Sequence, residues 1–311
     1  MKNIEPLDGL HLGIDGGGTS TTGVLVDKNG KILCKKEAGP SNPNFVGLDS
    51  SIKEINKIIN YIKSEYKNIL NYNIGLAGYS SFPQRERLKN AIIKDNKFGD
   101  YILQNDVDIL LYNSTEESPV VALVCGTGSV AMTTIKNTKK ILRVGGWGYL
   151  FGDEGSGYSI GRECLKAITR AADGRGKSTI LSQLVFEALK ITTAGGLVPS
   201  IYNSPNPKKT ISDLSCIVDK AAVSEDEIAI DILKKAADEL IEMSKYFVDY
   251  FFPVTPNFRI SGSVITQSKI YYKHYKKAMN VFGISEEHIE VIKYPAHFNA
   301  MITVKNQNLT N

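Results

Sequence analysis

The sequence predicts an α/β fold in which two halves repeat one plan, a mixed sheet with the order βββαβαβ. Two stretches carry this prediction, because each reads as a strand, a tight glycine turn and a second strand. The first stretch covers residues 12–27 and the second covers residues 121–135. Since the hairpins lie about one domain-length apart, we expect a duplicated domain whose two glycine turns close on a ligand across an active-site cleft.

Composition favours an ordinary globular protein of about two domains. The chain has 311 residues, of which 42% are hydrophobic and 23% charged, and its net charge is +4 without a dense basic run. Nucleic-acid binding is therefore not expected. Apolar runs are short and residues 1–8 are polar, so we expect neither a membrane span nor a signal peptide. Four scattered cysteines argue against zinc or disulfides and favour the cytoplasm: Cys34, Cys125, Cys164 and Cys216.

The first half is predicted to contain three antiparallel strands and then two helix–strand units. Residues 39–47, with two prolines and two asparagines, are predicted to form a rigid polar loop. Isoleucines spaced on one face of residues 49–67 indicate a helix there. The expected strands are at about 10–16, 22–27, 31–36, 73–79 and 101–106, and the expected helices at 49–67 and 84–95.

The second half is predicted to repeat the plan with extra helices. Residues 145–162 hold seven glycines together with aromatic and acidic residues, which indicates a shaped binding loop. Residues 192–208 read as a loop, and Ser224 with Glu227 reads as a capping box. The expected strands are at about 120–125, 130–136, 140–144, 258–264 and 289–292, and the expected helices at 156–172, 178–190, 209–222, 225–251, 266–282 and from Pro295 onward.

Two further glycine motifs do not predict the ligand sites that they superficially match. Residues 171–178 satisfy a relaxed P-loop pattern, but a helix rather than a buried strand precedes them. Residues 126–131 match a loose dinucleotide fingerprint, but a strand rather than a helix follows them.

Candidate chemistry lies at the ends of predicted strands. The glycines of residues 15–19 allow close backbone approach and present N–H groups suited to phosphate oxygens. Asp15 ends the first strand, where its carboxylate could hold Mg²⁺ through water. Asp106 also ends a strand, at the sheet edge where α/β proteins bind ligands. On the residues alone, a ligand-free hairpin, a turn-capping Asp106 and a helix-capping Asp153 stay open.

Several motifs resemble those of a known family. Residues 15–19 (DGGGT) and 126–129 (GTGS) resemble the two phosphate loops of the actin-like ATPase and sugar kinase superfamily. More specifically, residues 145–148 (GGWG) with 152–157 (GDEGSG) resemble the signature of the N-acetylglucosamine kinase family, the BadF/BadG/BcrA/BcrD-type ATPases. Residues 262–264 (GSV) are similar to the family's adenosine motif, whereas residues 297–302 depart from its usual Ala/Gly-rich C-terminal helix.

This resemblance implies two duplicated actin-like, ribonuclease H-like domains. The first would comprise residues 1–112 with helix 295–311 packed on it, and the second residues 113–294 with a helical insertion. It also implies an ATP-dependent and Mg²⁺-dependent cytoplasmic kinase, a homodimer, that phosphorylates the 6-hydroxyl of N-acetylglucosamine and/or N-acetylmuramate in cell-wall amino-sugar salvage. Such a kinase aligns and neutralises the reacting phosphates.

By the same resemblance, Asp106 would be the catalytic base and Asp15 would hold the metal. ATP would contact Gly17, Gly18, Thr19, Thr127, Gly128, Gly262 and Ser263. The sugar would contact Asn42, Gly78, Asp106, Gly145, Gly146, Trp147 and Asp153.

Alternative functions follow from the same motifs. The chain could phosphorylate glucosamine or another hexose, or it could be a nucleotide-dependent activator ATPase of the same family. Those activators bind an iron–sulfur cluster, but Cys125 and Cys164 do not lie in their cysteine context. A non-enzymatic nucleotide-dependent switch is a further alternative. For N-acetylmuramate, Arg143 or Lys36 could meet the lactyl carboxylate, and the sequence does not place either one.

Overall fold

The computed structural model describes residues 9–96, 100–135, 138 and 140–310, and the chain forms two compact units. Unit 1 comprises Met1–Tyr112 with Tyr294–Asn311, and unit 2 comprises Asn113–Lys293. The N-terminal residues 1–8, on which the signal-peptide expectation rested, lie outside the described residues.

Unit 1 is built on a mixed five-stranded sheet with the strand order β3-β2-β1-β4-β5. The first three strands pair antiparallel, and β4 and β5 extend the sheet in parallel. The elements in chain order are β1 Leu10–Gly16, β2 Thr21–Val26, β3 Ile32–Ala38, α1 Pro43–Val46, α2 Leu48–Glu65, β4 Ile69–Leu76, α3 Arg85–Asn96, β5 Asp100–Gln104 and α4 Asp106–Leu110.

The core of unit 1 lies between α2 and the sheet. Alternate residues of β1, including Leu12 and Ile14, point to the face that α2 covers with Ile55 and Ile59. Gly23 of β2 lies under this helix, where a side chain would clash with Ile58. The helix therefore packs directly on the strand backbone.

Three boundaries in unit 1 differ from the sequence prediction. The strand expected at 73–79 is β4, which ends at Leu76 because the chain turns through Gly78 with φ +77°. The strand expected to include Asp106 ends at Gln104, and Asp106 begins α4. The loop expected at 39–47 contains α1, because the Asn42 side chain caps it and Pro43 occupies its first turn.

Unit 2 repeats the mixed five-stranded sheet, with the order β10-β9-β6-β7-β8. Both sheets therefore confirm the predicted α/β fold class. The elements are β6 Val120–Cys125, β7 Ser129–Thr134, β8 Ile141–Gly145, α5 Gly157–Ala172, α6 Leu181–Leu189, α7 Leu197–Tyr202, α8 Pro207–Val223, α9 Glu227–Phe251, β9 Asn257–Ser261, α10 Ser263–Gln267, α11 Lys269–Val281 and β10 Ile289–Ile292.

Three further predictions in unit 2 are wrong in detail. The loop expected at 192–208 contains α7, which buries Leu197 and Ile201. The capping box at Ser224 does not form, because α9 is capped by Asp226, whose Oδ1 accepts a hydrogen bond from the Ala229 N–H at 2.9 Å. The strand expected at 258–264 ends at Ser261, where α10 takes over.

The last helix, α12 Pro295–Thr310, packs on the sheet of unit 1. Gly13 of β1 makes this possible, since a side chain there would clash with the backbone of Ala296 and Ala300. Asn299 Nδ2 donates to the Ile14 carbonyl at 2.7 Å, and Asn73 Nδ2 donates to the Asn299 carbonyl at 3.0 Å. The helix is thus held by buried amide hydrogen bonds as well as by apolar contact.

Within the described ranges, no single helix has the length and apolar character needed to cross a membrane, although the bent pair Leu181–Leu189 and Ala194–Tyr202 has both properties together.

Candidate active site

The glycine turn between β1 and β2 is anchored to the segment that follows β3. The Gly17 carbonyl accepts hydrogen bonds from the N–H groups of Ser41 (3.0 Å) and Asn42 (3.1 Å). A side chain at Gly16 would lie 2.5 Å from Ser41 Oγ. Gly18 and Thr19 are exposed, with open space where a Gly18 side chain would stand. The turn therefore offers a fixed, accessible backbone of the kind that binds phosphate oxygens.

Asp15 and Asp106 are neighbours at one end of the unit 1 sheet. Asp15 pairs in register with Gly75 of β4, and a side chain on Gly75 would lie 3.1 Å from the Asp106 Cα. Burial and the charge of Asp106 raise the pKa of Asp15 to about 7. Burial, with a smaller effect from Asp108, raises the pKa of Asp106 to about 6, although hydrogen bonds from the backbone oppose the rise. Neither carboxylate forms an ion pair among the described residues.

This carboxylate pair fits a divalent cation. Two like charges in a half-buried position are costly, and a cation would offset both the partial desolvation and the repulsion. The described residues contain no group of three or more His, Cys, Asp or Glu side chains arranged as a metal site. Water and phosphate oxygens would therefore supply most ligands of an Mg²⁺ ion beside Asp15, as is usual for this ion in kinases.

Asn42 and Gly78, which the sequence analysis assigned to the sugar, lie against each other. A side chain at Gly78 would be 2.6 Å from Asn42 Oδ1. Asn44, which is not among the predicted site residues, also lies here, and its Nδ2 donates to the Gly78 carbonyl at 2.9 Å. Asn42 Oδ1 accepts from the Asn44 N–H at 3.0 Å. The two loops therefore form one polar surface next to the first glycine turn.

Asn105 directly precedes the candidate base Asp106 and forms hydrogen bonds with Ser80, which follows Gly78 in the chain. Its Oδ1 accepts from the Ser80 N–H at 2.9 Å, and its Nδ2 donates to Ser80 Oγ at 2.6 Å and to Asp108 Oδ2 at 3.2 Å. The residue immediately before α4 is Asn105, so Asp106 occupies the first turn of that helix. Ser80 is not among the site residues predicted from the sequence, although it lies only two residues after Gly78, which is one of them.

The second glycine turn, in unit 2, is tied to the start of α5. The Gly157 N–H donates to the Gly126 carbonyl at 2.8 Å, and the Tyr158 N–H donates to the Thr127 carbonyl at 3.3 Å. A Cβ atom added at Gly126 would lie 3.8 Å from both the Gly262 Cα and the Ser263 backbone nitrogen. The predicted phosphate and adenosine residues of unit 2 are therefore adjacent.

Gly262 needs to be glycine in this arrangement. Its φ is +106°, and a side chain would clash with the backbone of Cys125. Beside it, a cavity of about 100 Å³ is lined by Ser263, Gln267 and the α8 residues Cys216 and Asp219. These α8 residues had no sequence signal, because only packing brings them to this strand end.

Asp153 lies over the second glycine turn. It is 5% exposed, and a side chain on Gly128 would be 2.8 Å from its Oδ2. Its φ of +57° is unusual for a residue other than glycine and indicates a position fixed by its surroundings. Lys208 Nζ is 3.4 Å from Asp153 Oδ2 and was missed from sequence. Asp153 is not the cap of α5, because Ser156 Oγ accepts from the Ser159 N–H.

The loop after β8 displays Trp147. Gly145, Gly146 and Gly148 have φ values of +71°, +69° and +93°, so the chain bends sharply there. Gly152 lies beneath Trp147, and a side chain on it would be 2.9 Å from the Trp147 Cβ. The tryptophan is 63% exposed, so its ring is available to a ligand.

A protein-family model covers most of this chain, including both glycine turns and the loop of Trp147. The family model described as the BadF/BadG/BcrA/BcrD ATPase family matches residues 12–298. The chain belongs to this family. The resemblance found in the sequence is thus confirmed, and the match to the BadF/BadG/BcrA/BcrD ATPases continues beyond residue 264 into α12.

Named relatives and a solved structure extend this result. The chain is 29% identical over 306 residues to an N-acetylmuramic acid/N-acetylglucosamine kinase of Clostridium acetobutylicum, covering 95% of this chain and 98% of the relative. It is 30% identical over 249 residues to an N-acetyl-D-glucosamine kinase of Dictyostelium discoideum, covering 75% and 77%. A solved structure from Porphyromonas gingivalis, provisionally named an N-acetylglucosamine kinase, matches with a TM-score of 0.74 at 18% identity, covering 96% and 99%. This structural match supports the fold.

Proposed function

We propose that this chain is an ATP-dependent kinase that phosphorylates the 6-hydroxyl of an N-acetylated amino sugar, N-acetylglucosamine or N-acetylmuramate. The observation that carries the proposal is Asp106, a carboxylate at a sheet end beside Asp15 and joined through Asn105 to the polar surface of Asn42 and Gly78. The names of the two curated relatives, each about 30% identical, support the same activity and substrates.

Asp106 is suited to act as the general base. With a pKa raised to about 6, it is mostly ionised at pH 7.5 and yet more basic than an ordinary aspartate. In the proposed reaction it accepts the proton of the sugar 6-hydroxyl as that oxygen attacks the γ-phosphorus of ATP, and the bond from the γ-phosphorus to the bridging oxygen breaks to release ADP. General-base catalysis of this kind contributes about 10²-fold to 10⁴-fold in rate.

The remaining roles follow from the contacts within each unit. Asp15 would hold Mg²⁺, which neutralises phosphate charge when bound. Gly17, Gly18 and Thr19 of unit 1, and Thr127 and Gly128 of unit 2, would bind the phosphates through the backbone. Gly262 and Ser263 would contact the adenosine. We assign these roles to two domains that correspond to units 1 and 2, and we expect a cytoplasmic homodimer.

The acetamide is expected to determine sugar preference. Asn42 and the backbone of Gly145 and Gly146 can pair with its N–H and C=O, while Trp147 can pack on the acetyl methyl. A site built to hydrogen-bond a group discriminates strongly against analogues that lack it, because its own polar atoms are then left unpaired. Glucose and glucosamine should therefore be poor substrates.

Initial rates of ATP consumption on four sugars test the proposal. The sugars are N-acetylglucosamine, N-acetylmuramate, glucosamine and glucose, at equal concentration with ATP and Mg²⁺. Turnover on the acetylated sugars should dominate, and Asp106→Asn serves as the inactive control. A higher rate on glucose or glucosamine would refute the acetamide argument, and sugar-independent ATP hydrolysis would refute the kinase.

A further inference from the structure

An arginine and the exposed tryptophan form a pair on the edge strand of unit 2. Arg143 lies on β8, two residues before Gly145, and β8 is the outermost strand of its sheet. The Arg143 guanidinium carbon is 4.5 Å from the centre of the Trp147 ring. The loop glycines fix the Trp147 backbone, so the position of the guanidinium is set by the same loop that the proposed function assigns to the sugar.

The Arg143 charge has no acidic partner among the residues that the structure describes. Its guanidinium instead lies over the Trp147 ring. Lys208, the other cation at the loop, faces the Asp153 carboxylate. A guanidinium held over an indole ring keeps N–H groups available for a second partner, and the fork of these groups matches the two oxygens of a carboxylate.

We propose that Arg143 is a specificity-determining residue that binds the carboxylate of an acidic amino sugar, the 3-O-lactyl group of N-acetylmuramate. This inference rests on the proposed function and adds to it the residue that accepts the acidic substrate. The rival cation, Lys36, stacks on Tyr61 of α2 at 4.1 Å, where it packs on a helix of unit 1 and not on a glycine loop.

The decisive variant is Arg143→Met, which keeps an apolar stem on Trp147 and removes the guanidinium. Because Arg143 is exposed on an edge strand, the variant should fold, and its thermal midpoint should match the wild type. Loss of one charge-assisted pair should lower kcat/KM for N-acetylmuramate about 10-fold to 100-fold, mainly through KM. For N-acetylglucosamine, kcat/KM should stay within about twofold. Arg143→Lys should fall between, since lysine keeps the charge without the fork.

Two controls identify the ligand group. The methyl ester of N-acetylmuramate keeps the lactyl group without its charge, so Arg143→Met should not affect its phosphorylation. Arg175→Met removes an exposed arginine that pairs with Asp173 at the C-terminal end of α5, and it should change kcat/KM for neither sugar. A raised KM for ATP with N-acetylglucosamine as acceptor would mean that Arg143 binds phosphate, which overturns the inference.

The remaining outcomes separate this inference from the proposed function. If the wild type phosphorylates both sugars and Arg143→Met affects them equally or not at all, the inference is wrong and the kinase stands. The inference is also wrong, with the kinase intact, if Lys36→Met selectively weakens N-acetylmuramate. If the wild type phosphorylates neither sugar, the proposed function itself fails.

Discussion

Replacing Asp15 by asparagine should stabilise the protein at alkaline pH. The pKa of Asp15 rises from 3.8 to about 7, because the carboxylate is desolvated and faces Asp106. At about 1.36 kcal/mol for each tenfold change in proton affinity, ionised Asp15 costs the folded state at most about 4 kcal/mol. Asparagine has similar size and no charge, so it removes this cost and the repulsion with Asp106.

The sign of the pH dependence follows from linkage. A raised carboxyl pKa means that the folded state binds more protons than the unfolded state between pH 4 and about 7. Wild-type stability should therefore fall as pH rises through this window. The gain from Asp15→Asn should be about 1.6 kcal/mol at pH 5, since the unfolded pKa lies about one unit below that pH, and nearly complete at pH 8. Roughly 2 °C or more of midpoint is expected for each kcal/mol.

The assay is thermal unfolding of wild type and Asp15→Asn from pH 5 to pH 8, with and without Mg²⁺. Mg²⁺ should raise the wild-type midpoint at pH 8 and leave that of Asp15→Asn unchanged, since the variant lacks the carboxylate. Asp213→Asn is the matched control, because that aspartate is exposed and, among the described residues, forms its ion pair with Lys209. A midpoint for Asp15→Asn at or below the wild type at pH 8 would refute the reasoning.

Three other predictions concern the proposed chemistry and its support. Asp106→Asn should lower kcat about 10²-fold or more while sugar affinity, measured by calorimetry, survives; wild-type kcat should also decline below pH 6 as Asp106 takes up a proton. Gly128→Ala should raise the KM for ATP, because the glycine turn proposed to bind phosphate must shift to seat a methyl group against the buried Asp153 carboxylate. Tyr271→Phe should cost about 1–3 kcal/mol in denaturant unfolding, since the buried hydroxyl donates to the Gly155 carbonyl at 3.0 Å; an unchanged midpoint would contradict that role.

Local patterns in the sequence were sufficient to predict the fold and the family. Strand alternation around two glycine turns predicted both meanders, and the observed β1 and β6 match the expected bounds closely. The contact between Asn42 and Gly78 agrees with their common assignment, since both lie in short loops at the same sheet end. Such features depend on neighbours in sequence or on strand order, which patterns report well.

Features that depend on distant packing could not be predicted. Lys208 reaches Asp153 only because α8 packs against α5, and nothing near either residue indicates the pair. The start of α9 was misassigned because Ser224 and Asp226 are both good caps, and the contacts of Asp226 with Thr179 and Ile180 favour it. Tertiary contacts thus decided between local alternatives that were nearly equal.

The docking of α12 on β1 has a consequence for biosynthesis. Unit 1 joins the first 112 residues to the last helix, whereas unit 2 is one continuous segment. During translation, all residues of unit 2 are synthesised before α12. The surface of β1 around Gly13, which α12 covers in the folded protein, is therefore still exposed at that stage. The second unit to be started is therefore the first that can finish folding, which reverses the usual N-terminal-first order. Until α12 has been synthesised, the surface of β1 that it covers stays exposed, and exposed apolar surface of this kind favours aggregation.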